Sequence, residues 1–194
     1  MPRKIEFDPD LALHCAMMVF WEKGFNGTSY DDLVSRTGVS RASLYKKFGD
    51  KKAVFLKVLD RYKQDIMVPM MQELSQKGAS KQSLIEYFKH LKQIFESMDN
   101  SNNGCLLCNT NIEMASQDME ISAKITAMLE FNRSCFRNVL ANAKLNKELD
   151  EHTNIEQMAD YLTSCLMGLG VIAKSPLAQA IGIHTIEKII TELR

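Results

Sequence analysis

The sequence predicts an all-α protein, and three observations support this fold class. Apolar residues recur at spacings of three and four through most of the chain, as they do on one face of a helix. The 194 residues include four prolines and nine glycines against twelve methionines. Hydrophobic residues make up 45% and charged residues 25%, which is typical of a globular protein and argues against a disordered or collagen-like chain. We expect about nine helices.

The first two predicted helices have clear boundaries. A helix over about residues 8–25 has its C-terminal stop at Gly24, since glycine readily adopts the backbone conformation that ends a helix. A second helix begins at Thr28, where the side chains of Thr28 and Asp31 can satisfy free backbone N–H groups as in a capping box. This short helix ends at Gly38.

A third short helix follows a tight turn, with Ser40 as its N-cap and Gly49 as its end. Two short helices joined by a glycine-containing turn form a helix-turn-helix. Asp50 can cap a fourth helix, whose apolar stripe continues beyond Pro69. We therefore expect a kink at this proline and no termination of the helix.

Five more helices are predicted in the rest of the chain. Polar, glycine or proline residues separate them, and the clearest loop is the polar run 99–104. They cover about residues 80–98, 105–116, 118–146, 151–174 and 177–193. Neither the N-terminal stretch nor any other window has the apolar run of a signal peptide or a membrane span, so we expect a cytoplasmic protein without a membrane partner.

The net charge hides a local concentration of positive charge. Lys and Arg together number 24, as do Asp and Glu, so the formal charge is zero. From Arg36 to Lys52, however, six basic residues stand against the single carboxylate of Asp50, which gives +5 over 17 residues and −5 for the rest of the chain. A solvated helix face is one explanation. Contact with DNA phosphates is the other, because a protein that neutralises phosphates releases condensed counterions.

Several motifs in this region resemble the N-terminal domain of the TetR family of transcriptional regulators over about residues 8–60. The motifs are FNGTSYDDL at 25–33, RTGVS at 36–40, SLY at 43–45 and FGDK at 48–51. The run GVSRASLYKKF, residues 38–48, resembles the turn and recognition helix of the family in residue type. A weaker resemblance, GCLLCNT at 104–110, is to one branch of the family.

The resemblance implies a homodimer that binds a double-stranded DNA operator, more often a repressor than an activator. It implies a DNA-binding domain over residues 1–60 and a ligand-binding and dimerisation domain over residues 61–194. A small apolar effector would release such a protein from its operator. No catalytic residue, metal or cofactor is expected. A thiol enzyme and a helical adaptor that does not bind DNA are the alternatives from other classes.

The recognition helix supplies most of the predicted DNA contacts. Its first turn enters the major groove in helix-turn-helix proteins, and it carries Arg41, Ala42 and Ser43. Arg41 can read a guanine edge with two hydrogen bonds, and Ala42 permits close approach. Leu44 and Phe48, four residues apart, are expected to face the core.

Other residues are expected to contact phosphates. The hydroxyl of Tyr45 and the ammonium of Lys46 suit phosphate oxygens, which fix register without reading sequence. Thr28 and Lys51 lie at helix starts, where backbone N–H groups favour an anion. Thr28 can equally be a plain N-cap, and Tyr45 a half-buried aromatic residue.

The middle helices are expected to enclose the effector pocket. Methionine is adaptable and suits a permissive apolar cavity, although residues at helical spacing are more often part of the core. The pocket would be lined by some of Phe88, Phe95, Met98, Met114, Met128, Phe131 and Phe136. A dimer gives two recognition helices at the spacing of two half-sites. Its interface is expected on the last two helices, at Tyr161, Leu162, Cys165, Leu169, Ile186 and Ile190, with an intramolecular core as the alternative.

The five cysteines are expected to be free thiols, since their number is odd and the cytosol is reducing. Cys105 and Cys108 lie close to a predicted helix N-terminus, where the helix dipole lowers the pKa of a thiol. No second cysteine pair or histidine cluster completes a zinc site, and no βαβ pattern supports a thioredoxin-like site. Two interpretations stay open: packing residues, or a switch in which an oxidant or electrophile modifies Cys105.

Overall fold

The computed structural model describes residues 7–98 and 103–193, and these residues contain helices and no strands, which confirms the all-α prediction. Nine of the α-helices described have eight residues or more, as the sequence predicts. The helices are α1 (Pro9–Lys23), α2 (Tyr30–Thr37), α3 (Arg41–Phe48), α4 (Lys51–Tyr62), a π-helix (Lys63–Met67), α5 (Val68–Met70), α6 (Gln72–Ser75), α7 (Lys81–Glu96), α8 (Leu106–Met114), α9 (Met119–Leu145), α10 (Ile155–Ile172) and α11 (Ala178–Glu192).

The N-cap of α2 is Ser29, so the prediction that Thr28 caps this helix was wrong. The Ser29 hydroxyl accepts a hydrogen bond from the Asp32 backbone N–H at 3.1 Å, and the Asp32 carboxylate accepts one from the Ser29 backbone N–H at 2.8 Å. This is a capping box one residue later than expected. Thr28 is instead buried, and its hydroxyl donates to the Gly24 carbonyl at 2.6 Å.

The other predicted boundaries of the helix-turn-helix are confirmed. The Ser40 hydroxyl caps α3, and the Asp50 carboxylate accepts a hydrogen bond from the Ala53 backbone N–H at 2.8 Å to cap α4. Gly38 ends α2 with a φ of 68°, a left-handed conformation that costs a residue with a Cβ more than it costs glycine.

The prediction that the helix continues past Pro69 holds for one residue only, since α5 ends at Met70 and α6 starts at Gln72. Proline has no N–H to donate, and its ring would clash with the carbonyl four residues earlier in a regular helix. The chain between Tyr62 and Val68 therefore winds as a π-helix before α5 begins, and it breaks again at Met71. The wider turn changes which side chains face the protein interior.

The buried apolar side chains form two clusters. The first joins α1–α4 to α8 and the N-terminal half of α9, through Leu106, Leu107, Met114, Ile121, Ile125 and Met128. The second joins α6, α7, the C-terminal half of α9, α10 and α11. The 27-residue helix α9 thus belongs to both clusters. No helix in the two described ranges combines the length and the apolarity needed to cross a membrane.

Candidate functional site

The exposed face of α3 carries Arg41, Ala42, Lys46 and Lys47. Leu44 and Phe48 are buried, as predicted. Ser43 is half-buried, and its hydroxyl lies 3.0 Å from that of Ser40, with which it shares a hydrogen bond. The helix therefore presents one basic face to solvent and one apolar face to the core.

Arg41 lies on two tyrosine rings. Its guanidinium carbon is 4.3 Å from the ring centroid of Tyr30 and 5.4 Å from that of Tyr45, both cation–π distances. The two rings stack with centroids 4.9 Å apart, and an Arg41 N–H donates to the Tyr45 hydroxyl at 3.4 Å. Hydrogen bonds from Tyr30 and Arg41 lower the pKa of the Tyr45 hydroxyl. Tyr30 lies in the motif at 25–33, but the sequence pattern alone does not indicate its contact with Arg41.

Lys51 is largely occupied by contacts within the protein. Its ammonium donates to the carbonyls of Phe25 at 2.8 Å and Thr28 at 2.9 Å, and it lies 4.5 Å from the Phe25 ring centroid. Its backbone N–H donates to the Tyr30 hydroxyl at 2.9 Å. The buried hydroxyl of Thr28 cannot reach a phosphate in this conformation, whereas Ser29 lies at the start of α2.

Ion pairs neutralise part of the positive stretch. Lys52 pairs with Asp118 at 2.8 Å and Glu120 at 3.0 Å, and the Arg36 guanidinium lies 3.4 Å from a Glu22 oxygen. Within the described ranges, Lys46 and Lys47 form no ion pair. The positive charge available to a polyanion is thus concentrated on α3.

A cavity of about 510 Å³ lies between the helix-turn-helix helices and the rest of the molecule. Its wall contains six methionines, Met18, Met67, Met70, Met71, Met98 and Met167. Trp21 of α1 and Tyr62 of α4 also line it, together with residues of α7, α8 and α10. Among the described residues, no Asp, Glu, Lys, Arg or His is part of this wall.

The structure places two of the predicted pocket residues, Phe95 and Met98, in the cavity wall. The other assignments are wrong for this cavity. Phe88 and Phe136 stack on each other in the second cluster, and Met114 and Met128 are buried in the first. Phe131 is half-buried beside Lys63, whose ammonium is 4.9 Å from the ring centroid. Helical spacing indicates which face is buried, but it does not tell whether that face meets protein or an empty space.

Cys105 is the residue immediately before α8, as predicted, and its thiol lies in the cavity wall. Its sulfur is 3.4 Å from the Tyr62 hydroxyl. Hydrogen bonds from the Cys108 thiol, the Tyr62 hydroxyl and the first backbone N–H groups of α8 lower the pKa of Cys105 to about 6, although burial opposes the shift. The same contact with Cys105, together with burial, raises the pKa of Cys108.

The two cysteines fit closely against Gly170 of α10. A Cβ at that position would lie 2.5 Å from the Cys108 sulfur and 2.9 Å from the Cys105 Cβ, so a larger residue would displace the pair. The Cys108 thiol also lies 3.5 Å from the Met167 carbonyl. In the part of the chain that the structure describes, no three His, Cys, Asp or Glu side chains are grouped to hold a metal ion.

Helix α8 is attached to the helix-turn-helix at both ends. Just before it, the Gly104 carbonyl accepts a hydrogen bond from the Trp21 indole N–H at 3.0 Å. Towards its end, the Glu113 carboxylate accepts hydrogen bonds from the backbone N–H groups of Phe25 at 2.8 Å and Asn26 at 2.7 Å. Gly24 makes room for this carboxylate, since a Cβ there would lie 2.6 Å from its oxygen. Nothing in the sequence pattern singles out Glu113.

Four of the six predicted interface residues lie in the core of the chain itself. Leu162, Leu169, Ile186 and Ile190 are buried in the second cluster, so the intramolecular alternative is correct for them. Cys165 is half-buried, and Tyr161 is exposed. The exposed apolar side chains of α10, α11 and their connection are Tyr161, Val171, Leu177 and Ile181. The sequence located apolar positions on these two helices but could not tell their inner from their outer faces.

Two family models match this chain. Residues 12–58 match the model described as bacterial regulatory proteins, tetR family. Residues 81–178 match the model described as tetracyclin repressor-like, C-terminal domain. Both matches agree with the family that the motifs of the helix-turn-helix resemble.

Similar proteins cover nearly the whole chain. The uncharacterized HTH-type transcriptional regulator YezE of Bacillus subtilis (strain 168) is 32% identical over 90% of each chain. The HTH-type transcriptional repressor ComR of Escherichia coli (strain K12) is 28% identical over 87% of this chain and 80% of its own.

Solved structures share the fold. A cysteine mutant of the TetR family transcriptional regulator CifR, complexed with 26-base-pair operator DNA, is 24% identical over 98% of each chain, with a TM-score of 0.84. The reduced form of E. coli NemR is 18% identical over 95% of this chain and 94% of its own, with a TM-score of 0.80. With its helix-turn-helix, its basic α3 and these matches, the chain belongs to the TetR family of DNA-binding transcriptional regulators.

Proposed function

We propose that this protein is a dimeric repressor that leaves its operator when a small apolar molecule occupies the 510 Å³ cavity. The observation that carries the proposal is the position of the cavity. Trp21 and Tyr62, from the helices that hold the recognition helix, form part of its wall. A ligand in the cavity therefore touches both the sensing helices and the DNA-binding helices. The relative ComR is named a repressor, which supports repression over activation in this proposal.

The proposed DNA contacts begin with α3. Arg41, Ala42 and Ser43 enter the major groove, while Tyr45 and Lys46 bind phosphates. Arg41 must leave the rings of Tyr30 and Tyr45 to reach a base edge. The Lys51 ammonium has three N–H groups and donates two of them to carbonyls, so the third can bind a phosphate. At the start of α2, Ser29 takes the phosphate contact that was predicted for Thr28.

The proposed dimer uses the exposed faces of α10 and α11. Tyr161, Val171 and Ile181 form the apolar part of this surface, and the exposed Gly168 permits close approach of a second helix. A two-fold axis through such a surface places two copies of α3 on one face of the molecule. Such a dimer would act in the cytoplasm, where its operator is accessible.

Helix α8 is the proposed connection between cavity and DNA. A ligand that binds more tightly to a conformation with α8 displaced would shift the population towards that conformation. Displacement of α8 would move Glu113 and the turn between α1 and α2 that it holds. The two recognition helices would then be wrongly spaced for their half-sites.

The test is footprinting on the DNA upstream of the gene, at several salt concentrations and with candidate apolar ligands. We expect protection of a two-fold symmetric site that weakens with salt and disappears with ligand. Val171→Asp places a charge on the exposed face of α10 and should abolish the protection, whereas Glu151→Gln, on a distant exposed loop, should not. Protection of no upstream site, or protection independent of salt, would contradict the proposal.

A second candidate function, a thiol switch, is favoured by the lowered pKa of Cys105. In this mechanism the Cys105 thiolate attacks hydrogen peroxide, which gives a sulfenic acid and hydroxide. The Cys108 thiol then attacks the Cys105 sulfur, forming a disulfide and releasing water. The pair would lose its hydrogen bond to Tyr62, and α4 would shift. An electrophile that alkylates the Cys105 sulfur would displace Tyr62 in the same way.

The switch is tested by adding peroxide to the protein on its operator. The wild type should be released, Cys105→Ser should stay bound, and Cys165→Ser, which changes a cysteine outside the cavity, should behave as the wild type. Release of Cys105→Ser at the same peroxide concentration would refute the switch and leave the ligand mechanism intact.

A further inference from the structure

Asn132 of α9 lines the cavity and has a buried polar atom without a partner among the described residues. Its side chain is 5% exposed and lines the cavity, and its carbonyl oxygen, Oδ1, accepts no hydrogen bond from the described residues. A buried polar group without a partner is unfavourable, and in folded proteins such groups are nearly always satisfied. An asparagine in an otherwise methionine-rich wall therefore indicates a polar partner that enters the cavity.

Two other polar side chains of the wall already have partners, and Asn103, the second asparagine of the wall, is only half-buried. The Trp21 indole N–H donates to the Gly104 carbonyl, and the Tyr62 hydroxyl lies at hydrogen-bond distance from the Cys105 sulfur. Asn132 is thus the buried residue of the wall with which a ligand can form a new hydrogen bond. A hydroxyl group suits this amide best, because it both donates and accepts and so matches the amide in either orientation.

The composition of the wall also favours an uncharged ligand. The described residues of the wall include no acidic, basic or histidine side chain. A carboxylate or an ammonium group buried here would lose its hydration without gaining a counter-ion, which is strongly unfavourable. The cavity volume of about 510 Å³ lies in the range of small-molecule sites.

We propose that the cavity binds an uncharged, mainly apolar molecule whose hydroxyl group pairs with the Asn132 amide. The proposal rests on the proposed function in one respect, that this cavity is the effector site. It goes further because it specifies the chemistry of the ligand, a neutral alcohol or phenol. It also assigns Asn132 as the residue that distinguishes such a ligand from a hydrocarbon of the same shape.

The experiment compares three probes by titration calorimetry on the DNA-free protein. The probes are 2-naphthol, 2-methylnaphthalene, in which a methyl group replaces the hydroxyl, and the anion 2-naphthoate. We expect 2-naphthol to bind roughly tenfold more tightly than 2-methylnaphthalene, the effect of one hydrogen bond to an otherwise unpaired buried group. We expect no binding of 2-naphthoate. Equal affinity for the first two probes, or preference for the anion, would overturn the proposal.

Two variants test whether Asn132 is responsible for the preference for 2-naphthol over 2-methylnaphthalene. Asn132→Leu keeps the side-chain size and removes the amide, so its affinity for 2-naphthol should fall to that for 2-methylnaphthalene. Asn138→Leu makes the same change at an exposed position of α9 and should keep the wild-type preference. An Asn132→Leu variant that still prefers 2-naphthol would contradict the role of Asn132. The probe ratios of the wild type provide a test that does not require this variant to fold.

Failure of this inference can be told apart from failure of the proposed function. Operator binding by wild type and Asn132→Leu is measured without probe, and we expect the same affinity for both. If 2-naphthol binds through Asn132 but does not release the protein from DNA, the ligand chemistry is correct and the effector role is wrong. If 2-naphthol does not bind the wild type up to its solubility limit, the ligand chemistry is wrong whatever the protein does on DNA.

Discussion

The helix-turn-helix and the cavity differ in how their polar groups find partners. At the N-caps of α2–α4 the partners are close in sequence: Ser29 with Asp32, Ser40 with Ser43, and Asp50 with Ala53. Around the cavity they are distant, as with Trp21 and Gly104 or Tyr62 and Cys105, and the described residues supply no partner for the Asn132 oxygen. Local interactions fix the helix starts of the first region, and the longer-range hydrogen bonds of Lys51 join them to the turn between α1 and α2. The second is organised by long-range contacts and retains room for a ligand.

The largest expected effect contrasts the packing of the two regions. Phe20 is fully buried, 4.8 Å from Phe55 between ring centroids, so Phe20→Ala should lower the free energy of unfolding by about 3–5 kcal/mol. Met70 faces the cavity and is half-buried. Met70→Ala removes fewer contacts and should cost less than about 2 kcal/mol. Urea unfolding measures both changes, and similar losses would contradict the contrast.

The next effect concerns the attachment of α8. Glu113→Gln removes the charge that strengthens two hydrogen bonds from the Phe25 and Asn26 backbone N–H groups. We expect a loss of about 2 kcal/mol of stability and a smaller difference in operator affinity with and without ligand. Thermal unfolding and operator titration provide the measurements. Glu151→Gln, at an exposed carboxylate, should leave both unchanged, and an unaltered ligand response in Glu113→Gln would rule out α8 as the connection.

The reading surface is tested by comparing Arg41 with its neighbours. Arg41→Ala should change the relative affinity for operators that differ at one base pair by about 1–3 kcal/mol, because a bidentate contact to guanine is lost. Tyr45→Phe should weaken binding to all sequences alike, since it removes a phosphate contact. Competition binding with single-base operator variants distinguishes the two patterns. If Arg41→Ala lowers the affinity for all operators equally, Arg41 does not read a base and instead positions Tyr45.

A further prediction compares free and paired lysines. Lys46 forms no ion pair among the described residues, whereas Lys52 pairs with Asp118 and Glu120. Lys46→Ala should reduce the slope of log affinity against log salt by about 0.9, the value for one phosphate contact. Lys51→Ala should reduce it as well, and Lys52→Ala should change it little. Equal slopes for Lys51→Ala and the wild type would exclude a phosphate contact at Lys51.

The smallest expected effect is a change in the pH dependence of Cys105. Because its pKa is lowered to about 6, iodoacetamide should alkylate it with a rate that rises through pH 6 and levels off above pH 7. Tyr62→Phe removes one donor and should shift this rise to higher pH. The lowered pKa also stabilises the fold at high pH, and this contribution is lost as the pH falls through about 6. A rate midpoint near pH 8.5 would contradict the assignment.

Predictions from the sequence were accurate where neighbours along the chain decide the structure. The predictions were correct for the helix ends at Gly24, Gly38 and Gly49 and for the N-caps Ser40 and Asp50. All of these features depend on backbone groups within a few residues. The assignment of Thr28 failed because Thr28 and Ser29 are both good N-caps, and tertiary packing buries the first.

Predictions were weaker where distant segments meet. Phe95 faces the cavity while Phe88, on the same helix, is in the core, although both occupy the apolar stripe. In the same way, Leu162 packs inside the chain while its neighbour Tyr161 is exposed. Helical periodicity carries no information on which partner covers a given apolar position.

The sequence by itself determined the all-α class, the helix-turn-helix, its basic recognition helix and the position of Cys105 before α8. These features depend on spacing, capping and charge, which are local properties of the chain. Tertiary structure alone decided that Trp21 and Tyr62 border a cavity, that Glu113 holds the turn between α1 and α2, and that the Asn132 oxygen finds no partner in the described part of the chain. The physical reason is that each of these features requires side chains tens of residues apart to meet, and only the packing of the helices brings them together.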